Sequence, residues 1–311
     1  MQLVERVKQV WNNRIIKLTI QILFVGFILF FIYQNIYLNW TKLKSYDWQI
    51  NGWLLTLSFI ILLGHRFFGA AGWYLAVRIL IPKRKMPRFK QLLKVYSISN
   101  LASYIPGTYW SILGRIYLSR ELGFSTTLSS ASIIIETILV VFSGMIMTLP
   151  VLPTLAPGQT WVIILGLCIM IILVIIGVNN RFINFLASIY SRITKKNVPE
   201  INSNSPQLLL LLLTYILVWV PLGISLFLLT RAIYSLSSIN VFFMIGYFAS
   251  AWLIGFFVPV APAGLGVREA VLVFFLHQAL VPDPLPTVLA ILFRILMALQ
   301  DLLWALLVKF I

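Results

Sequence analysis

Six ionisable side chains stand in stretches that are otherwise apolar: Arg66, Arg115, Glu136, Arg268, Arg294 and Asp301. An ionised group at the centre of an apolar helix costs several kcal/mol unless it meets a partner, water or a polar ligand. The chemistry on offer is anion recognition, because a guanidinium presents a fork of donors that matches phosphate or carboxylate. Arg115 and Arg268 are the sharpest candidates. Each follows a proline–glycine break, where the start of a new helix would point free amides and the positive end of its dipole inward. Glu269 partly neutralises the second such site, and it also suits the first turn of a helix. Glu136 and Arg294 can pair with each other and fix helix register.

Other chemistry is thinly represented. No P-loop, dinucleotide fingerprint, helical pair of metal ligands or Ser-His-Asp set can be assembled, so no cofactor, metal or catalytic residue is expected. His65 lies beside Arg66 and could serve as a proton relay or headgroup ligand, whereas His277 reads as interfacial. The single cysteine, Cys168, excludes an internal disulfide and a thiolate-rich metal site.

The elements that hold these charges are membrane helices. Hydrophobic residues make up 60% of the 311 and charged ones 10%, far from the composition of a soluble domain. Runs long enough to cross a bilayer predict six full spans near residues 16–38, 53–80, 126–149, 160–178, 207–229 and 286–308. The first is too long for a signal-peptide core and lacks a small-residue cleavage site, so it reads as an uncleaved span. Two further apolar regions, 92–118 and 241–280, are broken at Pro106-Gly107 and at Pro259, Pro262, Gly264 and Gly266. Both read as re-entrant helical hairpins, whose irregular tips survive at membrane depth only when buried in protein or lining a wet cavity. The fold class is therefore an all-α polytopic membrane protein.

Pro106 precedes Arg115 by nine residues and Pro259 precedes Arg268 by nine, and each hairpin leads into a span with a buried charge. That spacing suggests an inverted repeat with halves 1–180 and 205–311 inside one transmembrane domain, 1–311, joined by a polar cytoplasmic loop. The formal net charge of +16 follows topology rather than nucleic-acid binding, which is not expected. Basic residues concentrate at 78–94 and 181–196, which places both termini in the cytoplasm of a plasma (inner) membrane. The basic stretch 83–94 could also lie along the anionic cytoplasmic leaflet.

The segment Asn100-Leu-Ala-Ser-Tyr-Ile-Pro-Gly-Thr-Tyr-Trp-Ser-Ile-Leu-Gly-Arg115, the span around Glu136, Pro262-Ala-Gly-Leu-Gly-Val-Arg-Glu269 and Arg294 resemble the flippase-like transmembrane family. That family includes the membrane half of lysyl-phosphatidylglycerol synthase, and the likeness covers nearly the whole chain. It implies translocation of phospholipids, or of lipid-linked sugars in related branches. It implies nothing about aminoacyl transfer, because these residues carry no soluble synthase half. Trp110-Ser111 stands where Gly-Glu is often found, and Thr137 follows Glu136 where arginine is common.

Three readings follow. The leading one is a flippase or scramblase-like transporter holding a phosphate-bearing headgroup near the two hairpins, with Arg66, Arg115, Glu136, Arg268, Glu269 and Arg294 binding it. The second is a scaffold or accessory subunit for a glycosyltransferase or other lipid-modifying enzyme; a groove sealed against lipid would favour it. The third is a membrane-embedded transferase with Glu136 or His65 as base.

Overall fold

The structure is a computed structural model. It describes residues 33, 37, 41, 44, 46, 48–81, 86–104, 110–155, 158–177, 179–194, 205–234, 240–258, 264 and 266–310. Apart from Tyr33 and Tyr37, the predicted first span lies outside the described residues, as do the tip residues Pro106, Gly107, Pro259 and Pro262.

All regular structure among the described residues is helical. In chain order the helices of ten or more residues are α1 (Gly52–Leu80), α2 (Phe89–Leu101), α3 (Trp110–Ser119), α4 (Thr126–Thr148), α5 (Thr160–Gly177), α6 (Asn180–Thr194), α7 (Ser205–Ile233), α8 (Val241–Phe257), α9 (Val267–Gln278) and α10 (Leu285–Leu307). Short 3-10 turns extend α2 to Tyr104 and α4 to Val151. Helices α1, α4, α7 and α10 are long and apolar enough to cross a membrane, and α5 and α8 are shorter apolar helices.

Local chemistry fixes where the helices start. Asn51 accepts the Leu54 amide at 3.1 Å, Ser125 that of Leu128 at 3.1 Å, and Asn240 that of Phe242 at 2.9 Å. Each side chain satisfies a donor that the first turn leaves without an intrahelical partner. A proline near the start of α10 sits where no such donor is needed.

Packing centres on α1 and α7, which run in opposite directions. Asn51 donates its amide to the Ala232 carbonyl at 2.8 Å, and Ser58 Oγ donates to the Ser225 carbonyl at 2.8 Å. Further along, a Cβ on Gly64 would lie 3.6 Å from Pro221 Cγ, and one on Gly72 would lie 2.7 Å from the Tyr215 ring. Small residues thus bring the two backbones close, the means by which helices associate where apolar burial gives little drive. Around this seam, Trp219, Leu226, Phe248 and Phe293 build one apolar cluster, Leu139, Leu211 and Tyr215 a second, and Trp73, Leu92 and Tyr96 a third. Outward-facing residues of α5, among them Ile164, Leu167, Ile171 and Ile175, are more than half exposed, as befits a helix facing lipid.

Two pairs of shorter helices complete the frame. Helices α2 and α3 pack on each other on either side of residues 105–109, and α8 and α9 do so on either side of 259–266. Helix α6 was not anticipated. Residues 180–194 combine asparagine, arginine and aromatic side chains, and Phe182 sets its ring 5.7 Å from Phe142 of α4.

Candidate functional site

The two short pairs meet over a cavity inside the bundle. It has two lobes of about 280 and 240 Å³ that share Arg66, Asn100, Ser111, Trp252 and Arg268 in their walls. Arg66 is the central residue of α1, Asn100 lies in the last turn of α2, Ser111 in the first turn of α3, Trp252 on α8 and Arg268 in the first turn of α9. A cavity lined by charge inside an apolar bundle must be compensated locally, and most of it is.

Arg66 reaches Asp301 of α10 with both Nε and a terminal nitrogen, the latter 2.7 Å from Oδ2. Tyr104 donates to the same Oδ2 at 2.8 Å, so Asp301 holds three donors while its side chain is 1% exposed. In the second lobe Arg115 of α3 donates to Glu136 of α4, and both side chains are buried. The Arg115 guanidinium also lies 4.3 Å from the centre of the Tyr96 ring and 5.3 Å from that of Trp73, cation–π contacts that add to the ion pair. Trp73 is in turn held by its indole N–H, which donates to Ser132 at 3.0 Å.

The Glu136–Arg294 pair expected from the sequence does not form. Glu136 is satisfied by Arg115 from the adjoining helix, and Arg294 lies 3.5 Å from Glu269 instead. In both cases the helix that follows the break, α3 or α9, finds its counter-charge on the next helix in the chain. Glu269 has a second role, because it accepts the Gly266 amide at 2.6 Å and so occupies the start of α9. This is the first-turn role that the sequence suggests for Glu269, and it takes one helix-end amide that an external anion would otherwise meet.

Arg268 differs from the others. Among the described residues it has no carboxylate partner, and its buried Nε has no acceptor. Its guanidinium lies 5.3 Å from the centre of the Trp252 ring. Two glycines make room for it: a Cβ on Gly255 would stand 2.5 Å from Arg268 Cγ, and one on Gly264 would stand 2.6 Å from Nε. Gly264 also has φ +69°, a conformation that side chains rarely adopt. The slot therefore depends on both positions lacking a side chain.

His65 lines the second lobe, with Nδ1 3.2 Å from the Val218 carbonyl, so Nδ1 carries the proton there. His277 lies 3.4 Å from Asp283 with both side chains substantially exposed, outside the cavity. Cys168 is exposed on α5. The sequence reading missed Asn100, Tyr104, Gly255 and Trp252 as parts of the site. The first two fall inside the segment 100–115 that carries the family resemblance, which is the signal that could have marked them; nothing in the sequence marks Trp252, one aromatic among many.

Long apolar helices around a charged interior define a polytopic integral membrane protein. The chain belongs to the family described as the lysylphosphatidylglycerol synthase TM region, which matches residues 15–305, and it is thereby a lipid-related membrane protein. A comparison with curated proteins finds no match.

Proposed function

We propose that the chain moves a phosphate-bearing lipid between the leaflets of the plasma (inner) membrane, holding the headgroup in the two-lobed cavity while the acyl chains stay in the bilayer. The observation that carries this reading is Arg268, a guanidinium aimed into the cavity without a counter-charge among the described residues. A partly buried charge without a counter-charge inside an apolar bundle is costly to maintain, and a ligand anion is the partner that lowers the cost.

On this reading the helix pairs flanking 105–109 and 259–266 are re-entrant hairpins that enter from opposite faces, as in an inverted repeat. The antiparallel course of α1 and α7 and the matching ion pairs at Arg115–Glu136 and Glu269–Arg294 support that arrangement. Both termini are cytoplasmic, and no cofactor or catalytic step is assigned.

The test is transbilayer movement of a fluorescent phospholipid in proteoliposomes. Arg268→Lys keeps the charge and loses the fork, and Arg268→Ala loses both, so transport should fall in the order Arg, Lys, Ala. Undiminished transport by an Arg268→Ala protein with an unchanged melting profile removes the residue from the mechanism.

A further inference from the structure

We propose that the cavity selects lipids whose headgroup is a singly charged phosphodiester without a cationic group, and that it discriminates against aminoacylated, net-cationic heads. The inference rests on the transport reading for its site, but it concerns headgroup charge.

The first argument is a charge count. The cavity walls and the residues directly behind them hold four guanidiniums, Arg66, Arg115, Arg268 and Arg294, against three carboxylates, Asp301, Glu136 and Glu269. The surplus is one positive charge, and it sits at Arg268, where the lobes meet. One phosphodiester cancels it. A doubly charged phosphomonoester overshoots, and a head bearing ammonium groups adds charge of the sign already in excess.

The second argument is the count of hydrogen-bonding groups. Asn100 is 7% exposed and lines both lobes. Its Oδ1 accepts from Arg115 at 3.4 Å, which fixes the amide so that the other end, Nδ2, is the donor left without an acceptor. Arg268 Nε is a second donor in the same state. Both atoms are covered by protein, so a headgroup in the lobes completes them once their side chains turn toward it; a phosphate oxygen, which only accepts, can do so, whereas an ammonium, which only donates, cannot.

The third argument is that the groups able to receive a cation are engaged. Asp301 holds Arg66 and Tyr104, Glu136 holds Arg115, and Glu269 holds Arg294 and the Gly266 amide. The aromatic surface nearest the surplus is occupied too. Trp252 carries the Arg268 guanidinium at 5.3 Å and is stacked on Phe256 with ring centres 5.1 Å apart. A quaternary ammonium would have to displace one of them.

The experiment uses the full chain in detergent, with fluorescent phosphatidylglycerol displaced by unlabelled phosphatidylglycerol, phosphatidylcholine or lysyl-phosphatidylglycerol. Phosphatidylglycerol should compete about tenfold or more better than the lysylated lipid, the order that one charge-assisted hydrogen bond supplies. Arg268→Gln should reduce that preference to about twofold or less, because the surplus charge is gone. Asn100→Asp, which places a carboxylate where the lobes meet, should shift the preference toward the lysylated lipid and covers the case in which Arg268→Gln does not fold. Equal or better competition by lysyl-phosphatidylglycerol, binding of none of the lipids, or an unchanged preference in a folded variant overturns the proposal. A clear binding preference with no transbilayer movement of any lipid sinks the transport reading and leaves the selectivity standing.

Discussion

Removing the Glu136 carboxylate should destabilise the protein chiefly by stranding Arg115. The two side chains are 10% and 8% exposed, and the other acceptors of Arg115, Ser99 and Asn100, are both 3.4 Å away. Breaking a buried pair by deleting one partner costs about 3–5 kcal/mol. The lower end applies here, because the Tyr96 and Trp73 rings still face the guanidinium and the lobe beside it can admit water, so Glu136→Ala should cost ~3 kcal/mol. Glu136→Gln keeps an acceptor and should cost about half as much. Arg115→Met combined with Glu136→Leu removes both charges and should recover most of the loss. Unfolding by graded denaturing detergent gives the free energies for a double-mutant cycle, in which Glu136 should couple to Arg115 by about 2 kcal/mol or more and to Arg294 by less than about 0.5 kcal/mol. A Glu136→Ala cost below ~0.5 kcal/mol, or equal coupling to Arg294, would refute the assignment of partners.

Two further outcomes are expected. Gly223→Ala would place a Cβ 2.5 Å from Ile245 Cα in the backbone of α8, so it should cost at least about 1–3 kcal/mol and lower both yield and melting temperature; Gly64→Ala, whose nearest neighbour would be 3.6 Å away, serves as the tolerated control. Lys195→Cys should label with an impermeant reagent from the cytoplasmic side and Ala156→Cys from the other, in a Cys168→Ser background, and equal labelling of both in intact cells would contradict the proposed orientation.

The long helices were legible because a bilayer imposes one length on anything that crosses it. The expected span 53–80 is Gly52–Leu80, 126–149 is Thr126–Thr148 and 286–308 is Leu285–Leu307. Helix α6 was hidden because apolar residues occupy only one face of it, so a search for apolar runs passes over Asn180–Thr194. The intramembrane charges were legible for the same energetic reason as the spans, but their partners were not. Which carboxylate meets Arg115 depends on how α3 lies against α4, a tertiary fact that intrinsic cost alone does not contain. Arg268 stood out through the glycines before it, and Gly264 does make room for its side chain. Gly255, the other side of that slot, belongs to a different helix and only the packing of α8 against α9 reveals it.

The seam between α1 and α7 has a mechanical meaning. Ser58 is hydrogen-bonded to Ser225, Pro221 rests beside Gly64, and the Tyr215 ring sits where Gly72 leaves room, so the two helices are keyed at three levels along one line. Sliding one against the other by a single residue, about 1.5 Å, would carry the ring out of its notch and break the serine bond, and both would have to fail together. A joint of that kind resists shear and transmits it. It acts as the stator of the bundle, and on the proposed transport reading the freedom to open a path for a headgroup falls to the short helices α2, α3, α8 and α9 around it.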